Sequence, residues 1–343
     1  MKISIGTRIK NSAWGGGNNF AKNLTNYLSE NGVEVFFDLK EKNLDAIILT
    51  DPRRNSISSS FDDLDIIKYQ QDNHKTIVIH RINECDERKN TNYVNEQLLR
   101  ANKVSDYTVF VSSWLKKLLV NYGFDETNSS VILNGADNKI FSYSENTWLD
   151  GKIKIVTHHW SKHPNKGAKV YKMMDDLINK TEWKDKVEFY YIGNLPDKIK
   201  FNNTKLVSPL SGKELSDFLS SCHIYLTGSI NEPGGNHQNE GANIGLPILY
   251  LNSGSMDEYC KNYGVTFEYN DFEEKLEKII KDYKILRNNL RNYPYNSEYT
   301  CKKYYDLILD ILKNKDSIIS KKKLPKFTLR ENITIFLRKF KIK

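Results

Sequence analysis

Long apolar runs are missing from this 343-residue chain. Crossing a bilayer takes about 18 to 20 consecutive apolar residues, and no stretch approaches that. The opening Met1-Lys2-Ile3-Ser4-Ile5-Gly6 has no apolar region of the signal-peptide kind, so a cytoplasmic protein is expected. Cysteine is scarce: Cys85, Cys222, Cys260 and Cys301 lie far apart, with no C-x-x-C pair and no histidine at zinc-ligand spacing. This pattern argues against a disulfide framework or a cysteine metal site and predicts four reduced thiols. Net charge is also missing from most of the chain. Nine of the 51 Lys and Arg and one of the 43 Asp and Glu lie at 321–343, so residues 1–320 hold 42 of each. A neutral body offers no basic groove for a phosphate backbone, and nucleic acid is not an expected partner.

What is present suffices for more than one core. An apolar fraction of 39%, with 12% aromatics and 27% charged residues, excludes disordered and fibrous classes. The length predicts about two domains. Short β-branched or aromatic runs near Ile3–Ile5, Val33–Phe37, Ala46–Leu49, Thr76–Ile79, Thr108–Val111 and Val131–Leu133 alternate with helical segments. A second series follows at Ile153–Val156, Val187–Ile192, Ile224–Leu226, Pro247–Leu251 and Val265–Phe267. Such alternation predicts two doubly wound parallel sheets, with the boundary between about Phe141 and Lys152. The expected division is a first domain over 1–145, a second over 150–295, a helix over 296–320 crossing back to the first, and a basic tail over 321–343. No internal repeat is visible.

Ligands of open α/β sheets bind at the carboxyl ends of strands, which directs attention to the loops there. After Ile224–Leu226 comes Glu232-Pro233-Gly234-Gly235-Asn236-His237-Gln238-Asn239-Glu240, followed by Gly245-Leu246-Pro247. Two carboxylates eight positions apart span a loop and a helix start, so each can accept hydrogen bonds from a different polyol. Gly234 and Gly235 permit close backbone approach, and the helix N-terminus offers N–H groups to a phosphate. After Ile153–Val156, Lys166 stands at a helix start, where it could neutralise a diphosphate leaving group. In the first domain Gly15, Gly16 and Gly17 precede a helix through Phe20, Leu24 and Leu28. His80 opens a polar run to Lys89 at the expected end of its strand.

In the tail, Leu329, Ile333, Phe336, Leu337 and Phe340 recur at helical spacing among Arg330, Arg338, Lys339 and Lys341. That is the pattern of a basic amphipathic helix for an anionic membrane surface. A solvated tail or a last helix packed on the body are the alternatives.

Taken together, Gly15–Gly17, His80, Val109-Phe110-Val111-Ser112, Asn134-Gly135-Ala136-Asp137 with Phe141, Lys166-Gly167 and the E-x7-E of Glu232 and Glu240 resemble the retaining GT-B glycosyltransferases of the family 4 type. The resemblance implies a GT-B fold, two Rossmann-like domains facing across a cleft. It further implies hexosyl transfer from a UDP- or GDP-linked sugar to a glycan or lipid-linked acceptor in cell-surface polysaccharide or glycolipid synthesis. No metal or other cofactor is expected. By that resemblance Glu232 contacts the donor sugar, Glu240 the ribose and Lys166 the diphosphate, with His80 near the sugar. Gly16 and Gly17 close over the donor, and Pro233, Gly234, Gly235 and Asn236 line it. Members of the family usually carry an Arg several residues before the Lys-Gly pair, where this chain has His159-Trp160-Ser161; Lys162 is the substitute the sequence offers.

Other classes fit less well. Asp38 lies where a dehydrogenase would hold its ribose, but Thr7 to Trp14 intervene between the first strand and Gly15. Asp63-Leu64-Asp65 has the D-x-D form of a metal site, yet it opens an apparent helix, where acids favour the dipole. A sugar-nucleotide epimerase of the same architecture, or a silent sugar-nucleotide-binding subunit, are the remaining alternatives.

Overall fold

The computed structural model describes residues 1–10, 15–53, 56–145, 151–196 and 199–322. In the first half β1 (Lys2–Ile5), β2 (Glu34–Phe36), β3 (Ala46–Leu49), β4 (Ile77–Ile82), β5 (Tyr107–Phe110) and β6 (Ser129–Val131) form a parallel sheet, ordered β2-β1-β3-β4-β5-β6. In the second, β7 (Ile153–His159), β8 (Val187–Gly193), β9 (Lys205–Val207), β10 (Ile224–Thr227), β11 (Ile248–Leu251) and β12 (Gly264–Phe267) form another, ordered β12-β11-β10-β7-β8-β9. The order reverses between β1 and β3 in one sheet and between β7 and β10 in the other. Each reversal opens a crevice at the carboxyl ends of those strands.

Every residue of β3, β10 and β11 is buried, which is why these segments read as unbroken apolar runs. Side chains alternate between faces. Ile3, Ile5 and Ile48 pack on Phe20, Leu24 and Leu28, whereas Ile47 and Leu49 pack on Leu64 and Ile67. The helix Ser297–Lys313 inserts Tyr304, Ile308 and Ile311 into that first core, with Tyr304 edge-on to Phe20 at 5.0 Å. The chain crosses to the second domain early: Ala136 and Phe141 already belong to the core around Val156, Ile192 and Tyr225, because the aromatic ring buries there rather than under the first sheet. Residues 146–150, which carry part of the expected boundary, lie outside the described residues.

Two further details differ from the sequence reading, and a third completes it. β4 continues through His80 and Arg81 to Ile82, paired residue by residue with β5, because the two polar side chains find partners in Asn102, at the end of the helix Val94–Asn102, and Asn134, in the loop after β6. β9 lies at a sheet edge, where its half-exposed Leu206 gives little apolar pattern. Asp62, rather than Asp63, caps the helix Asp63–Asp72, accepting from Leu64 N at 3.0 Å and exchanging a reciprocal bond with Asp65. Asp63 is forked by Arg100 at 3.1 Å, so the D-x-D oxygens serve a cap and an ion pair.

Among the described residues no helix is long and apolar enough to cross a membrane. The helix Lys315–Lys321 ends at Lys322, whose ammonium donates to Asp106 at 2.6 Å and to Thr76 O at 3.0 Å. The first part of the basic tail is therefore tied to the first domain, and its remainder, 323–343, lies outside the described residues.

Candidate active site

The loops at the carboxyl ends of the two sheets meet. After β5, Ser112 donates to Pro233 O at 2.6 Å; after β6, Asn134 Nδ2 donates to Gly234 O at 2.6 Å and its backbone N–H to Tyr259 Oη at 2.8 Å. A Cβ on Gly234 would stand 2.9 Å from Val111, so only glycine lets the second-domain loop reach the first sheet.

Glu232 follows β10 and is 4% exposed. Its carbonyl accepts from Ser255 N and Oγ at 2.9 and 2.8 Å, which fixes the residue independently of its side chain. One carboxylate oxygen takes Lys166 Nζ at 2.5 Å, and the other faces Arg88 Nε at 3.4 Å. Lys166 ends the 3₁₀ turn Pro164–Lys166 after β7. It is held there by Gly167, whose φ of +106° and contact with the Gly228 backbone exclude a side chain. Arg88 comes from the short helix Asp86–Lys89 of the first domain. Two bonds seat that helix on the second domain: Asn165 Nδ2 donates to Arg88 O at 2.9 Å, and Asn231 Nδ2 to Glu87 O at 3.2 Å.

Burial would push the Glu232 carboxyl up, but the Lys166 and Arg88 cations override it and hold the group at about 2. Lys166 is itself drawn down, first by burial and then by repulsion from Arg88, against the pull of Glu232. A second carboxylate, Glu84, pairs with Lys89 at 2.6 Å and Arg88 at 3.6 Å. Three cations thus share two carboxylates, and one positive charge is left over where the two crevices face each other.

Glu240 lies in the first turn of the helix His237–Ile244, with an oxygen 2.7 Å from His158 Nε2; the other ring nitrogen of His158 is 3.0 Å from Tyr225 Oη. His159 and His237 pack behind, their ring centroids 4.8 Å apart. Burial holds both well below the usual histidine range, so they are neutral imidazoles. Gly16 opens the helix Gly16–Glu30, which has no side-chain cap and no acid in its first turn. A Cβ there would be 3.3 Å from Asn236 Nδ2, so the glycine loop of one domain faces the Gly234–Asn236 loop of the other. Gly17 beside it is exposed.

Of the residues singled out by sequence, Lys166, Glu232, Pro233, Gly234, Gly235, Asn236, Glu240 and Gly16 are gathered here. His80 is not. It lies inside β4, fully buried, with Nδ1 at 2.9 Å from Asn102, and burial holds it at about 4. Lys162 is exposed, and the second cation beside Glu232 is Arg88, 144 positions away in sequence. The dense polar run from His80 to Lys89 marked that segment, but nothing in its spacing pointed Arg88 at Glu232.

No family model matches the chain, and no curated protein matches it in sequence. Solved structures do match in fold. Sucrose-phosphate synthase from Thermosynechococcus elongatus superposes with a TM-score of 0.66 at 13% identity, covering 91% of this chain and 99% of that one. HepE of Anabaena, in complex with UDP and glucose, gives 0.63 at 12% identity over 90% and 100%. The lipopolysaccharide outer core galactosyltransferase WaaB, in its apo form, gives 0.64 at 13% identity over 90% and 99%. The architecture is that of GT-B glycosyltransferases, two Rossmann-like domains around a cleft.

Proposed function

We propose that the chain is a retaining, metal-independent glycosyltransferase that moves a hexosyl unit from a nucleotide-diphosphate sugar to a glycan or lipid-linked acceptor in cell-surface polysaccharide or glycolipid synthesis. The observation that carries this reading is the pairing of Lys166 and Arg88 with the buried Glu232 carboxylate, a cluster with excess positive charge at the meeting of two switch-point crevices. A diphosphate satisfies both cations and frees the Glu232 carboxylate for the hydroxyls of the sugar. Lys166 and Arg88 then stabilise the charge that develops as the bond from the anomeric carbon to the phosphate oxygen breaks. Arg88 takes the part of the arginine lacking before Lys166-Gly167. The acceptor oxygen bonds to the anomeric carbon from the same face, and its proton passes to the departing diphosphate. Glu240 exchanges His158 for the ribose hydroxyls. His80 keeps a supporting place in this reading, holding β4 under the acceptor side.

The test is thermal stabilisation by UDP, GDP, ADP and their sugar conjugates, with and without chelator. A ligand at a hundredfold excess over its dissociation constant adds about 2.7 kcal/mol. One nucleotide series should stabilise the protein in chelator and lose its effect in Glu240→Ala. Absence of any shift would favour the silent-subunit alternative, and turnover of donor to an altered free sugar nucleotide would favour the epimerase.

Residues 321–343 are proposed to hold the enzyme on the inner face of an anionic membrane, where a Lys or Arg near the surface contributes about 1 kcal/mol. A chain ending at Lys322 keeps the Lys322–Asp106 bond and should lose sedimentation with phosphatidylglycerol liposomes; unchanged sedimentation would show that the anchor lies elsewhere.

A further inference from the structure

A cavity of about 330 Å³ opens in the first domain beside Thr7 and Thr50, the residues that follow β1 and β3. It therefore occupies the crevice where that sheet reverses its order, the position at which open α/β sheets take ligands. Its lining includes Arg81, which is 2% exposed. One guanidinium nitrogen, Nη2, donates to Asn134 Oδ1 at 2.8 Å, the group's central carbon lies 4.0 Å over the Phe20 ring, and Nε has no partner. The other groups that face it are the Tyr304 and Tyr259 hydroxyls. None of these is an acid.

A buried cation without a counter-charge costs several kcal/mol, so the surroundings of Arg81 call for an anion from outside. The two acids of the cavity are already engaged. Asp51 is forked by Arg53 at 2.7 and 2.8 Å and also accepts from Ser56 and Ser58, and Glu84 is held by Lys89 and Arg88. Against them stand Arg8, Arg53, Arg81 and Lys89, an excess of two positive charges. Guanidinium groups take planar or tetrahedral oxyanions in pairs of hydrogen bonds, and Arg81 lines the cavity together with the guanidinium residues Arg8 and Arg53.

We infer that this cavity binds an oxyanion, phosphate or carboxylate, carried by a sugar or polyol, and that the group belongs to the acceptor. That the group belongs to an acceptor rests on the glycosyltransferase reading; the binding of the anion does not.

The experiment is calorimetric titration of the full chain, without nucleotide, using glucose 6-phosphate, glucuronate and glucose. One of the two anionic sugars should bind at least tenfold more tightly than glucose, and which one identifies the group as phosphate or carboxylate. Arg81→Gln should erase that preference, Arg81→Lys should restore part of it, and Lys166→Gln should leave it intact. Since Arg81 also holds Asn134, Lys89→Gln at the cavity rim provides a second reading: it removes one cation from the cavity, leaves Glu84 with Arg88 alone, and should weaken the anionic sugar about threefold. Equal binding of all three sugars, or a preference lost in Lys166→Gln and kept in Arg81→Gln, would overturn the inference. Nucleotide binding without any anion preference would sink this inference alone, whereas an Arg81-dependent preference in a protein that binds no nucleotide would sink the transferase reading alone.

Discussion

Replacing Glu232 by glutamine should reduce sugar transfer at least a thousandfold while nucleoside-diphosphate binding stays equal or tightens. The carboxylate neutralises Lys166 and Arg88 in the free protein, so removing its charge leaves both cations uncompensated and more available to a diphosphate. The same change takes away the charged acceptor that holds the sugar hydroxyls as the anomeric carbon becomes positive, a loss worth about 4 kcal/mol in the transition state. Stability should fall as well, by about 3 kcal/mol, because breaking a buried ion pair from one side leaves unpaired charge; saturating diphosphate should recover much of it. Transfer is read as kcat/KM with the donor identified by thermal stabilisation, and affinity as the UDP or GDP dissociation constant. Transfer within tenfold of the wild type would remove Glu232 from the chemistry.

Acidification from pH 7 to pH 5 should cost several kcal/mol of stability. His80, His159 and His237 are buried and held below the usual histidine range, His80 at about 4. The unfolded chain binds protons at these positions as the pH falls below about 6.5, and the folded chain does not. Stability from these groups is therefore complete above pH 6.5 and lost as the pH falls toward 4, at up to about 1.4 kcal/mol per pH unit for each histidine. Glu232, held at about 2, adds to the same trend only below about pH 4.5, where the unfolded carboxyl begins to protonate. Urea unfolding midpoints at pH 7, 6 and 5 give the slope. His80→Gln, which keeps a polar partner for Asn102, should flatten it by one proton; an unchanged slope would mean that His80 is charged in the folded protein.

The strand pattern was legible because the central strands are buried on both faces, so Ala46–Leu49 and Ile224–Leu226 are apolar whatever surrounds them. β9 and the last three residues of β4 were not. β9 is an edge, and β4 ends in His80-Arg81-Ile82, where side-chain partners distant in sequence, Asn102 and Asn134, permit polar residues inside a sheet. The candidate loop at the end of β10 could be picked out as well, since Glu232, Gly234, Gly235 and Glu240 lie within one local segment whose spacing is itself the signal.

The sequence by itself determined two doubly wound domains, a neutral body with a basic tail, and a glycine-containing loop–helix segment with two carboxylates after a central strand. These are properties of composition, period and local spacing, which need no knowledge of what lies opposite. Only the tertiary structure decided that Arg88 of one domain shares Glu232 with Lys166 of the other, that His80 is buried away from them, and that Arg81 lacks an acid in its cavity. Each of those depends on groups brought together by chain reversal between two sheets, and electrostatics at a few ångströms is set by distance through space and by burial, neither of which separation along the chain records.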